Sequence, residues 1–237
     1  MPPNETPAPT KKIGLIGGLA LRAGVFYYEQ IQQRCVAENR QLRLILEHAD
    51  VNTVLACVSA GDKAGLGRYL GSIANALFDA GADLVAVTAV APHLAIDEIV
   101  SVARGPIVNL LDHISVGLAD AGVERVAIFG NRAVMQTGIY GIIPTEKIVP
   151  LEPSIIDHVH AMYTDIALCG KRGTPTETEF LEGVARTAVE RDGAQAILLA
   201  GTDLSSFYAG QAPTFPHLDL AQLHINAIID HARAPNT

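Results

Sequence analysis

The side chains of this chain that could do chemistry gather at the ends of short apolar runs. The run Gly81-Ala82-Asp83-Leu84-Val85-Ala86-Val87-Thr88 leads into Ala89-Val90-Ala91-Pro92-His93. A histidine four residues beyond a strand can serve as a general base or acid, because its unperturbed pKa lies near 6.5. It can equally be a structural residue that caps or packs at a helix start. A second run, Ala196 to Ala200, leads into Gly201-Thr202-Asp203-Leu204. The hydroxyls of Thr88 and Thr202 could hold a carboxylate or a water, or only satisfy backbone groups at strand ends. Asn131 and Arg132 open a helix after Gly130, where free backbone N–H groups suit an anion. Arg22 follows the glycine turn Gly17-Gly18 and could reach a carboxylate, or sit in solvent. Asp50 could face a ligand or cap the turn at Val51 to Thr53. Cys57 lies in the apolar stretch Val54 to Val58, where a buried, inert thiol is the default.

These residues need elements to hold them. Lys12 to Gly18 reads as a buried strand ending in a glycine turn, with a helix from about Arg22 to Val36. Arg43 to Glu47, Asp83 to Ala89 and Ile107 to Leu110 read as strands, Asp62 to Ala80 as a helix, and Pro92 as the first turn of another. A further helix runs to Ala121. The pattern then restarts: strand Arg125 to Gly130, helix Asn131 to Tyr140, strand Lys147 to Val149, helices Ser154 to Leu168 and Thr176 to Arg191, and strand Ala196 to Ala200. His217-Leu218-Asp219 and a helix from Ala221 to Ala232 close the chain. Strands alternating with helices imply parallel sheets with crossover helices. The expected fold class is α/β, with two pseudo-symmetric αβα halves and a site in the cleft between them. The expected division is 11–115 with 215–237 for the first half, 116–214 for the second, and a disordered tail over 1–10.

The 237 residues are about half hydrophobic, enough for a substantial core, and carry a formal net charge of −8. That charge argues against a nucleic-acid footprint or a basic membrane-binding face. No apolar segment suggests a membrane span. Three scattered cysteines suit neither a disulfide framework nor a zinc site and point to a reduced, cytoplasmic setting. Gly14-Leu15-Ile16-Gly17-Gly18 lacks the third glycine and distant acidic residue of a dinucleotide fingerprint. No cofactor and no metal are expected.

Five segments in order and spacing resemble the aspartate/glutamate racemase superfamily, from Lys12 to about Ala232. Ile13 to Tyr28 resembles its Gly-Gly-Met opening, and His48-Ala49-Asp50-Val51 its Ser-Val-Asp/Asn-Phe pocket segment. Ala89 to His93 resembles its Cys-Asn-Thr-Ala-His signature, Phe129 to Met135 its Leu-Gly-Thr-x-x-Thr-Met helix start, and Ala200 to Leu204 its Gly-Cys-Thr-Glu-Leu signature. His217 to His224 is similar to its closing tail. In this register the two thiol positions are Ala89 and Gly201. Racemisation without a cofactor needs a proton-exchanging group on each face of the carbon; alanine and glycine supply none. The resemblance implies that Asp50 meets a substrate amino group and that Asp203 stands for the family's glutamate.

Other departures fall in the same pocket. Gly24, Val90, Ala91 and Val134 replace small polar residues, and an amino acid bound there would leave polar groups unpaired at roughly 1–3 kcal/mol each. The expected function is isomerase- or lyase-type chemistry on a small carboxylate with one base, with His93, Thr202 and Asp203 as catalytic candidates. Gly18, Arg22, Asp50, Thr88, Ala89, Val90, Asn131, Arg132 and Gly201 are the expected ligand contacts, and space at Ala89 and Gly201 is expected to admit a bulkier substrate. Removal of His93 is expected to stop turnover while sparing the fold. The alternative is a non-catalytic homologue that binds a ligand or a partner, and racemisation of aspartate or glutamate is the weakest reading. A homodimer is expected from the resemblance.

Overall fold

The computed structural model describes residues 10–170 and 173–233. Apolar runs bounded by glycine or polar turns make the strands: β1 (Ile13–Gly17), β2 (Leu44–His48), β3 (Leu84–Val87) and β4 (Ile107–Val108) in one sheet, and β5 (Val126–Gly130), β6 (Ala196–Ala200) and β7 (His217–Asp219) in another. The strand orders are β2-β1-β3-β4 and β5-β6-β7, and every pairing is parallel. β1, β3, β5 and β6 are buried along their whole length, as parallel strands covered on both faces must be.

The helices are α1 (Ala23–Ala37), α2 (Val51–Ala60), α3 (Lys63–Asp79), α4 (Ile96–Val102), α5 (Leu111–Asp120), α6 (Arg132–Gly141), α7 (Pro153–Cys169), α8 (Pro175–Glu190), α9 (Thr202–Phe207) and α10 (Leu220–Arg233). In the first sheet the two-residue alternation of strands divides the core. Ile13, Leu15 and Ala86 pack with Tyr27 and Ile31 of α1 and with Ile225 and Ile228 of α10. Ile16, Val85 and Val87 pack with Leu66, Leu70 and Ala74 of α3. The second sheet carries its own core, with Phe129, Leu198, Val159 and Leu181 at its centre. No helix among the described residues is long and apolar enough to cross a membrane.

Four local readings change. The expected strand Lys147–Val149 is reduced to one parallel bridge, Val126 to Ile148, because Thr145–Lys147 turns as a 3-10 helix first. The stretches Val51–Ala60 and Thr202–Phe207 are helices; the first buries only Val54 and so shows no amphipathic stripe. His217–Asp219, placed by sequence with the first half, pairs with β6 of the second sheet, and only α10 beyond it packs on the first. Residues 1–9 of the expected tail lie outside the described residues. Thr10, its last member, is held: it is buried, and its hydroxyl donates to the Gln41 carbonyl at 2.6 Å.

Candidate functional site

The carboxyl ends of β1, β3 and β6 meet where the two sheets face each other, the usual ligand position in open α/β sheets. The sequence delivers a hydroxyl to two of these ends, and both are turned inward. Thr88 is fully buried, and its N–H and its hydroxyl both donate to the Ile16 carbonyl, at 3.2 and 2.9 Å. Thr202, also buried, donates from Oγ1 to the Thr88 carbonyl at 3.1 Å. That bond ties the second sheet to the first. Each hydroxyl gives its proton to a backbone carbonyl, so either could meet a ligand only as an acceptor.

His93 follows the same logic. It is 1% exposed. Nδ1 lies 2.9 Å from the Ala89 carbonyl oxygen, and the Leu110 N–H donates to Nε2 at 3.4 Å. These partners assign the proton to Nδ1. Burial pushes its pKa down to about 4. Both ring nitrogens are engaged by backbone, so the ring as placed is neutral and offers no free nitrogen to a ligand. Its ring meets His224 edge-on, with centroids 5.6 Å apart. His224 donates from Nε2 to the Val108 carbonyl at 2.9 Å and accepts from the Tyr27 hydroxyl at 3.0 Å. Burial, then the neighbouring His93, pushes its pKa down to about 3. His224 and Tyr27 form a buried polar seam under the cleft that the sequence marked only at His224. Replacement of His93 by Ala is therefore expected to lower stability by roughly 2–4 kcal/mol, from a cavity and an orphaned Leu110 N–H. Urea unfolding checks it; an unchanged midpoint would refute the structural role.

On the second half the missing side chain at Gly201 has been replaced in space by an aromatic ring. A Cβ added at Gly201 would overlap the ring edge of Tyr163 of α7. The expected spare volume at this position is thus occupied. The Tyr163 hydroxyl donates to Asp203 Oδ2 at 3.3 Å. Asp203 is 2% exposed, and its other oxygen, Oδ1, is buried with no hydrogen-bond partner. Burial raises its pKa to about 6, against the lowering effect of the Tyr163 hydroxyl. Burial and the Asp203 charge push the Tyr163 phenol well above its ordinary range. Tyr140 closes the same region from α6. The last turn of α6 is left-handed at Gly138, Ile139 and Tyr140, and the Tyr140 hydroxyl donates to the Ala91 carbonyl of the first half at 3.2 Å. Positive φ at a β-branched residue such as Ile139 costs of order 1–3 kcal/mol, so the surrounding packing must impose it. Neither tyrosine carried a sequence signal, since both come from helices far from the strand ends in the chain.

The remaining candidates lie on the rim. Asp50 is exposed and caps α2, accepting from the Asn52 and Thr53 N–H groups at 3.2 and 3.1 Å. The Thr53 hydroxyl bond is the first reason that its pKa is lowered. Asn131 caps α6 by accepting from the Val134 N–H at 3.1 Å. Arg132 is paired with Asp157 on α7 and points along the surface. These three are engaged at helix starts and in a surface ion pair. Arg22 is half-buried and reaches the Gly170 carbonyl at 3.5 Å. Val90 is buried, Ala89 is partly exposed, and Gly18, at φ +77°, turns the chain away from β1. A cavity of about 220 Å³ opens beside this turn, lined by Gly17, Gly18, Gly24 and the end of α7.

A sequence model of Asp/Glu/Hydantoin racemases matches residues 16–228 of this chain. The chain belongs to the Asp/Glu/Hydantoin racemase family. Its fold is similar to a putative Asp/Glu racemase from Yersinia pestis, at 23% identity and TM-score 0.80, over 94% of this chain and all of that one. It is also similar to an aspartate racemase homologue from Pyrococcus horikoshii, at 21% identity and TM-score 0.76, over 94% and 100% of the two chains. Arylmalonate decarboxylase shares the fold at 13% identity and TM-score 0.52, over 95% and 94%. In this racemase-family chain the strand ends hold Ala89 and Gly201. Near them lie buried tyrosine and histidine side chains and one carboxylate oxygen without a partner.

Proposed function

We propose that this family member acts on a small carboxylated molecule through one buried acid–base group, Asp203, and not through a pair of thiols. The supporting observation is the state of that carboxyl group. It is buried, its pKa is raised to about 6, and Oδ1 has no partner. A carboxylate in that condition is largely ionised near neutral pH yet basic enough to take a proton. Tyr163 holds Oδ2 and leaves Oδ1 as the acceptor. One base permits one-sided isomerisation, tautomerisation or lyase chemistry and excludes a symmetric two-face relay. Arg22, which lines the adjoining depression, supplies a counter-charge for a substrate carboxylate. A homodimer and a cytoplasmic setting belong to the same proposal, the second supported by three free cysteines.

Asp203→Asn tests the role. General acid–base catalysis contributes roughly 10²–10⁴-fold, so turnover is expected to fall by at least about 10². The folded pKa lies above the ordinary 3.8, so the protonated form is favoured by folding. That contribution is complete below pH 4 and is lost as pH rises through 6, a cost of about 3 kcal/mol to the ionised protein. The asparagine variant, which never ionises, is expected to match or exceed the parent in stability at pH 7.5. Undiminished turnover in Asp203→Asn would remove Asp203 from catalysis.

A second reading, a ligand- or partner-binding homologue without turnover, is favoured by the Tyr163 ring at Gly201 and by the backbone bonds of Thr88, Thr202 and His93. Incubation of the parent in deuterium oxide with aromatic and aliphatic 2-substituted carboxylates separates the two. Exchange or decarboxylation seen by NMR supports the enzyme; neither across the panel supports the binding role.

A further inference from the structure

The cavity beside Gly18 has a chemistry of its own. Gly17 and Gly24 form its floor, and Leu21, Val25, Leu46 and Leu168 stand around it. Those four side chains are 41–66% exposed, and they are four of the nine large apolar side chains exposed among the described residues. Exposed apolar side chains gathered at one concavity offer a surface that a small apolar group can cover. Among the described lining residues none is Lys, Arg, Asp or Glu, and His48 carries the one polar side chain. A free aspartate or glutamate side chain would find no charged partner there. The volume, about 220 Å³, exceeds the roughly 150 Å³ at which an apolar cavity accepts benzene. The floor continues to the strand ends: a Cβ on Gly24 would lie 3.9 Å from Thr88 Oγ1. Leu21 and Val25 also border the next depression, which Arg22 and Ser206 share.

We propose that this cavity seats an uncharged, phenyl-sized apolar group of the ligand, so that the chain selects an aryl- or branched-alkyl-bearing carboxylate over an acidic amino acid. The proposal rests on the carboxylate reading above for the charged end of the molecule, and on the cavity alone for the apolar end. Titration of the ¹⁵N-labelled chain with benzyl alcohol, phenylacetate and aspartate separates the two parts. Benzyl alcohol is expected to shift the Gly17, Gly18 and Gly24 amides, and phenylacetate to bind at least tenfold more tightly. Aspartate is expected to leave those amides unmoved. Val25→Trp places a ring over the cavity from an exposed position and is expected to weaken both aromatic probes at least tenfold without loss of fold. Benzyl alcohol binding with no gain for phenylacetate upholds the apolar seat and refutes the carboxylate reading. Aspartate shifting the three glycines as strongly as phenylacetate overturns the proposal. So does silence toward benzyl alcohol combined with a sedimentation change in Val25→Trp, which would make the patch a contact between copies.

Discussion

Ala89→Cys with Gly201→Cys is expected to restore no α-proton exchange on aspartate or glutamate, and to unfold more readily than the parent. Gly201 is in extended backbone, φ −175° and ψ 128°, which any residue adopts. The obstacle is therefore Tyr163 and not the backbone, because a Cβ at 201 overlaps its ring. Forcing atoms into a filled site costs typically 1–3 kcal/mol. For a chain of this size that lowers Tm by several degrees, at roughly 2–4 °C per kcal/mol. The ring must move or the thiol must turn aside, and a displacement of about 1 Å at a reacting centre can cost a hundredfold in rate. A thiol at 201 would also have the Asp203 carboxylate two residues away, which disfavours the thiolate. Adding Tyr163→Ala to the double variant removes the overlap and is still expected to leave exchange at background. Deuterium incorporation at the α-carbon, followed by NMR, is the measurement. Robust exchange in the double variant would show that the cleft still recognises an acidic amino acid, and the changed-substrate reading would have to be given up.

Stability is expected to fall steeply as pH drops below 6.5. His93 and His224 are buried and neutral, with pKa values held down to about 4 and about 3. In the unfolded chain both protonate near 6.5. A depressed folded pKa contributes stability that is full above 6.5 and is lost as pH falls toward the folded value. By pH 4 each histidine has given up on the order of 3 kcal/mol. Asp203 works in the opposite direction between pH 6 and 4, returning about 3 kcal/mol as it protonates. The raised pKa of Asp219 has the same sign, while His113 and His160, both lowered, add to the acid loss. The balance is a net loss of several kcal/mol by pH 4, a large part of the 5–15 kcal/mol available to most domains. Urea midpoints at pH 7.5, 6.0 and 5.0 should decline in that order. His93→Asn, less stable throughout, is expected to show a shallower decline. A midpoint that is flat or rises between pH 7.5 and 5.0 would overturn the assignment of both histidines as buried neutral groups.

The sequence by itself determined the parallel α/β architecture, because strands buried on both faces must be continuous apolar runs and crossover helices must separate them. β1, β3, β5 and β6 each announce themselves this way, as do α3 and α10 through their regular apolar spacing. It also determined that residues 89 and 201 hold no thiol, since that is a matter of residue type. Short elements were not legible. The bridge at Ile148 and the helices α2 and α9 depend on contacts outside the local pattern, and β7 pairs in the second sheet although its neighbour α10 packs on the first.

Hydrogen-bond partners at the strand ends were decided only by the tertiary structure. His93 has the spacing of a catalytic base, yet the carbonyl of Ala89 and the N–H of Leu110 use both its nitrogens. Asp50 and Asn131 cap helices. Glycine at 201 reads in sequence as empty space, and α7 fills that space with Tyr163 from 38 positions earlier in the chain. A hydrogen-bonding side chain does what its nearest unsatisfied partner requires, and that partner is brought near by folding across long sequence separations, which no spacing rule along the chain encodes.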